Sequence, residues 1–161
     1  MLVEFKNLPD DSRIWVYQSN RKLSDDEVNI IVKKTSDFLN TWTAHGSDLE
    51  AGFEIKYNRF IIIGLNKAAG DASGCSIDAS VTFIQTLEKE FDIDLLDKMN
   101  VTYYSGDYIA HKSLIDFKKM AKARSVSPNT VVFNNLVTTK AEYLENWEVP
   151  AKDSWHNRFL A

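Results

Sequence analysis

Cysteine is almost missing from this chain: Cys75 is the only one in 161 residues. One thiol closes no internal disulfide, so the fold must rest on packing and hydrogen bonds, and a reducing compartment suits it. Proline (three) and glycine (six) are also scarce. No linker, repeat or low-complexity tract marks a domain boundary. No apolar run approaches the about 18 residues that a membrane-crossing helix needs. The opening residues, Met1-Leu2-Val3-Glu4-Phe5-Lys6, lack the layout of a signal peptide. The expectation is a cytoplasmic protein with no membrane partner. An excess of positive charge is lacking too: the formal net charge is -4, which argues against a dedicated nucleic-acid binder.

What is present is ordinary for a globular chain and rich in rings. Hydrophobic residues make up 44% and aromatics 12%, enough for one core dominated by large side chains. A turn at Pro9-Asp10-Asp11-Ser12 leads into a strand over Arg13–Gln18. Ser24 and Glu27 have the spacing of a capping box. The helix they open carries Val28, Ile31, Val32, Phe38, Leu39 and Trp42 at helical period, with His45-Gly46 as its stop. Ala51, Phe53, Ile55 and Tyr57 then alternate with polar residues as a half-buried strand does. Phe60–Leu65 has no polar face and predicts a strand covered on both sides.

A second helix follows, with a core stripe of Ile77, Val81, Ile84, Leu87 and Phe91. Residues 101–104 and 108–111 read as a hairpin around Ser105-Gly106-Asp107, and a third helix runs from Ser113 to about Arg124. Beyond it lie a short strand at Val131–Phe133, a helix over 139–147 and helical turns over 153–159. The order β-α-β-β-α-β-β-α predicts an α+β chain with a ferredoxin-like core. In that core the strands at 13–18 and 60–65 are central and both helices cover one face. The whole reads as a single domain: a core of residues 1–111, then a helical or irregular extension of 112–161 whose Trp147 or Trp155 covers the other face.

The stretch Ala72-Ser73-Gly74-Cys75-Ser76-Ile77-Asp78 is the best candidate for chemistry, because small residues lead directly into a helix whose free N–H groups favour a thiolate or an anion. The predicted topology brings it to the same end of the sheet as His45. A catalytic assignment would make Cys75 the nucleophile, His45 its base and Asp78 the orienter. The alternative is that Cys75 is a small buried hydrophobe and Asp78 complements the helix dipole. Ser73, Gly74 and Ser76 are candidates for an anion-binding turn. The opposite end offers Arg21, Lys22, Lys56 and Arg59, a basic set able to hold a phosphate or carboxylate. His45, His111 and His156 lack the short spacing of zinc ligands, so no metal and no cofactor is expected.

The segments RIWVYQSNR, TWTAHG, EIKYNRFIII, SGCSIDASV, LLDKM and FNNLV carry a resemblance over nearly the whole chain. It is to a family of short uncharacterised bacterial proteins whose members are often labelled "ABC transporter ATPase". The resemblance implies no catalytic residues. The label itself meets a physical obstacle, since a phosphate-cradling loop needs G-x-x-x-x-G-K-[ST]. Here Cys75 and Ser76 follow the glycines of 70–74, so ATP hydrolysis is rejected. Two classes of function follow. One is a non-catalytic binding or interaction module, monomeric or homodimeric, for a protein or a small anionic ligand. The other is a small thiol-dependent enzyme built on Cys75.

Overall fold

Capping chemistry and apolar runs set the elements of residues 1–160, which a computed structural model describes. The chain is α+β and divides into two compact units. The first is Met1–Leu96 with Thr138–Ala141; the second is Asp97–Val137 with the residues from Glu142 on. The division falls inside the stretch that the sequence assigns to one core of residues 1–111.

In the first unit, β1 (Arg13–Gln18), α1 (Asp25–Asn40), the two-residue strands β2 (Thr43–Ala44) and β3 (Ser47–Asp48), β4 (Ala51–Lys56), β5 (Phe60–Leu65) and α2 (Gly74–Phe91) follow in order. The capping box of α1 is in place: Glu27 N–H donates to Ser24 Oγ at 3.1 Å, and Ser24 N–H to Glu27 Oε1 at 2.9 Å. Three strands form one antiparallel sheet in the order β1-β5-β4, with Arg13 opposite Leu65 and Ala51 opposite Leu65 across the two pairs. β5 is central, and every one of its residues is buried, as its unbroken apolar run predicts.

β1 corrects the ferredoxin-like expectation. It is antiparallel to β5 as expected, but it lies at the edge of this sheet rather than inside it. The strand expected beside it pairs elsewhere. A single antiparallel bridge from Arg13 to Thr139, with Ile14 N–H donating to Thr138 O at 2.9 Å, occupies that edge instead. Along the other edge, Val3 N–H donates to Ala51 O at 2.8 Å. The N-terminal segment comes so close that a Cβ on Gly52 would stand 2.6 Å from Val3 O, which is why this strand carries a glycine there.

Both helices contribute to one core, with Ile31, Leu39, Ile84 and Leu87 packed against Ile61, Ile63 and Leu65. Phe38 stacks on Phe83 with centroids 4.5 Å apart. Two parts of the sequence reading shift here. Val32 is 39% exposed, so the stripe of α1 is narrower than its apolar residues suggest. In α2, Ile77 and Val81 are only half-buried, and the buried face begins with Ser76 and Ser80. Their hydroxyls bond to the carbonyls of Thr43 and Ile77, both at 2.7 Å, so burial costs little and the small side chains leave room. The sheet's other face is covered at Gly64 by Leu8 and Phe5 of the N-terminal segment, which the sequence reading leaves without a role.

The second unit holds β6 (Asn100–Ser105), β7 (Tyr108–Ser113), α3 (Leu114–Lys122), β8 (Val131–Phe133), α4 (Lys140–Asn146, its first two residues counted with the first unit) and β9 (Glu148–Pro150). These strands build a sheet of their own in the order β7-β6-β8-β9. The hairpin of residues 101–111 is thus present but belongs to a separate sheet. The stretch from 112, expected as a helical or irregular extension, shares a core with the hairpin instead: Val101, Tyr103, Phe117, Val126, Val132 and Val149. Ser113 caps α3 by accepting from Asp116 N–H at 3.1 Å. None of the described helices is long and apolar enough to cross a membrane.

Candidate functional site

The TWTAHG and SGCSID segments meet. Ser73 is the N-cap of α2, which makes Cys75 the second residue of the helix. Ser76 N–H donates to Ser73 Oγ and Ser73 N–H to Ser76 Oγ, each at 3.1 Å. Ser76 Oγ in turn donates to Thr43 O at 2.7 Å. Its single proton is therefore committed, and in the 2.8 Å contact between the two hydroxyls Ser73 is the donor. From the other side, Trp42 Nε1–H donates to Ser76 O at 2.8 Å. The indole is 3% exposed and packs edge-on to Trp15 at 6.0 Å and against Phe38 at 5.7 Å. The joint between the end of α1 and the start of α2 is thus a set of backbone-directed hydrogen bonds over an aromatic floor. Ser73 and Ser76, candidates for anion binding, are spent on it.

The three candidates for catalysis sit around this joint. Cys75, His45 and Asp78 are all exposed, so Cys75 is not the buried hydrophobe that a lone cysteine among small residues suggests. His45 does not end α1. With φ of 51° at His45 and 80° at Gly46, the pair forms the two-residue turn between β2 and β3, both residues left-handed as a primed hairpin turn requires. Among the described residues, none of the three has a side-chain hydrogen bond or an ion pair. Nearby, Asp71 accepts from Arg13 Nη1 at 2.9 Å, and the guanidinium holds its carboxyl below the usual range. That ties the loop before α2 to β1.

At the opposite end the four basic candidates separate. Arg21 forms a fork on Glu27, at 2.9 and 2.7 Å, and also donates to Phe91 O at 2.8 Å. It clasps the start of α1 to the end of α2, and the guanidinium holds the Glu27 carboxyl down at about 2. Lys22 is exposed and Lys56 half-buried. Arg59 is 8% exposed, and its Nη1 donates to Ser19 O at 3.3 Å. Burial pushes its pKa down.

No group of three or more His, Cys, Asp or Glu among the described residues is placed to hold a metal ion. His111 Nδ1 lies 3.3 Å from Thr102 Oγ1. His156 is 1% exposed, against Trp155 at 3.9 Å and Phe117 at 5.9 Å. Burial pushes it down to about 4.

Two anchors escaped the sequence reading. Lys140, 6% exposed, donates to Lys6 O at 3.0 Å and Leu8 O at 2.7 Å. Nothing in its local sequence separates it from a surface lysine. Ser80, which packs by Tyr17, lies four residues after Ser76, and that spacing of small residues on one helix face is a usable signal of close packing. Compared with protein-family models, curated proteins and solved structures, the chain matches none.

Proposed function

We propose that the chain is a non-catalytic binding module for a small anionic ligand or a protein, and that its thiol takes part in no chemistry. One observation carries this reading. The start of α2 directs its polar groups into structure, through Ser73, Ser76, Thr43 and Trp42, whereas Cys75, His45 and Asp78 stand exposed and unlinked. A nucleophile needs a base within hydrogen-bond reach and a third group to orient that base. An exposed, unpaired thiol also fits a cytoplasmic setting. The pairing of β1 and β4 on either side of β5 supports kinship with split βαβ folds. Such folds host many functions, so the architecture alone assigns none. The reading fits the short bacterial proteins that the sequence resembles, without the nucleotide hydrolysis of their label.

The thiol-enzyme alternative draws on the exposure of Cys75 in the first turn of an 18-residue helix. Alkylation separates the two. Cys75 in the folded protein should react with iodoacetamide at the same rate in wild type and in His45→Ala. A several-fold slower reaction in the variant would favour the enzyme.

A further inference from the structure

Arg59 poses a question that the rest of the fold does not answer. The residue is 8% exposed, yet its side chain makes one hydrogen bond, to Ser19 O at 3.3 Å. No carboxylate pairs with it among the described residues. A guanidinium is always charged and presents a planar fork of donors, and burying such a charge without a counter-ion is costly. This same unit shows two ways of meeting that cost. Lys140 is satisfied by two carbonyls and lies 5.7 Å from the centre of the Phe5 ring. Arg21 has a carboxylate and a carbonyl. Arg59 has neither set, and its unspent donors are not sealed away, since no nitrogen of Arg59 is among the fully buried unpartnered atoms.

The surroundings are tied together by hydrogen bonds. Ser19 N–H donates to Arg59 O at 2.8 Å and Leu23 N–H to Asn58 O at 2.7 Å. Asn58 Nδ2 donates to Asp25 Oδ1 at 2.7 Å. These bonds lock the turn after β4 to the loop after β1. That turn holds two successive non-glycine residues, Tyr57 at φ 57° and Asn58 at φ 52°, in a region that costs a large side chain energy. Lys22 and Lys56, which flank these segments, hold no ion pair among the described residues, whereas Arg21 is spent on Glu27 and Phe91 O.

We propose that the Arg59 guanidinium is the floor of an oxyanion site between the 19–23 loop and the 57–59 turn. It takes the carboxylate or phosphate group of a small ligand on its planar fork, with Lys22 and Lys56 at the rim. This rests on the binding-module reading and names the ligand class. A guanidinium fork matches two oxygens of either group, and such charge-assisted pairs are the stronger hydrogen bonds.

The test is thermal unfolding in rising inorganic phosphate and, separately, rising succinate, with sodium chloride holding ionic strength constant. One of the two should raise Tm saturably by about 3–6 °C, the size that ligand linkage gives a chain of this length. Which one does so identifies the group. Arg59→Met keeps the side-chain length and should lose the rise. Arg59→Lys keeps the charge but not the fork, and should need at least about tenfold more of the probe. On wild type alone, the Arg59 Nε–H resonance should move on titration while that of Arg21 stays in place. No saturable rise with either probe, or an equal rise in Arg59→Met, overturns the proposal. Neither result bears on the alkylation of Cys75, so the broader reading is tested separately.

Discussion

Trp42→Ala should destabilise the protein by about 3–5 kcal/mol, the usual cost of emptying a buried aromatic site. It is among the largest effects a single substitution in this joint can have. The indole is 3% exposed, touches Trp15 and Phe38, and bonds to Ser76 O. Trp42→Phe keeps most of the ring area and removes the N–H, so it should cost about 1–2 kcal/mol. Urea unfolding followed by far-UV circular dichroism checks both. If Trp42→Ala cost under about 1 kcal/mol, the indole would not be what joins α1 to α2.

Acid should weaken the fold through His156. The imidazole takes a proton near pH 6.5 in the unfolded chain but only near 4 in the buried site. Above pH 6.5 both states are neutral and the group adds no pH dependence. As the pH falls from 6.5 toward 4 the unfolded state binds the proton first, so stability is lost across that window and no further below it. One pKa unit corresponds to about 1.4 kcal/mol, so roughly 2–3 kcal/mol should go between pH 7 and pH 4.5. The comparison is with His156→Phe, which has no proton to take and should show a loss smaller by that amount. Equal acid sensitivity in the two proteins would mean that the imidazole is not sealed between Trp155 and Phe117.

Local chemistry and the antiparallel pairing of β1 with β5 were legible in the sequence; the partner of residues 100–105 was not. Arg13–Gln18 and Phe60–Leu65 form strands at those bounds because turn residues and apolar runs delimit them. The Ser24–Glu27 box and the Ser113 cap follow from residue spacing alone. What failed was choosing a neighbour. Residues 100–105 have strand character, but nothing in that character says whether the segment pairs beside β1 or starts a new sheet, as it does. Pairing depends on contacts distant in sequence, such as the Thr139 bridge to Arg13.

Helix faces failed for a different reason. Hydrophobicity selects Ile77 and Val81, whereas the packed face uses Ser76 and Ser80, whose hydroxyls are satisfied by nearby carbonyls. At the site, the meeting of the His45 and Cys75 segments was legible, as was the place of Cys75 in the first turn of α2. The exposure of the thiol was not, because it depends on which way the first turn faces. The basic residues divide in a way that composition hides: Arg21 has Glu27 within reach, and Arg59 has only a carbonyl.

The start of α2 is a structural joint, and the thiol stands outside it. Comparing the unfolding midpoints of Cys75→Ser and Ser76→Ala tests that most directly. Cys75→Ser changes an exposed atom that has no partner, and should stay within about 0.5 kcal/mol of wild type. Ser76→Ala removes the acceptor for Ser73 N–H and the donor to Thr43 O together, and should cost about 1–3 kcal/mol. The opposite order, with Cys75→Ser costly and Ser76→Ala neutral, would contradict the account.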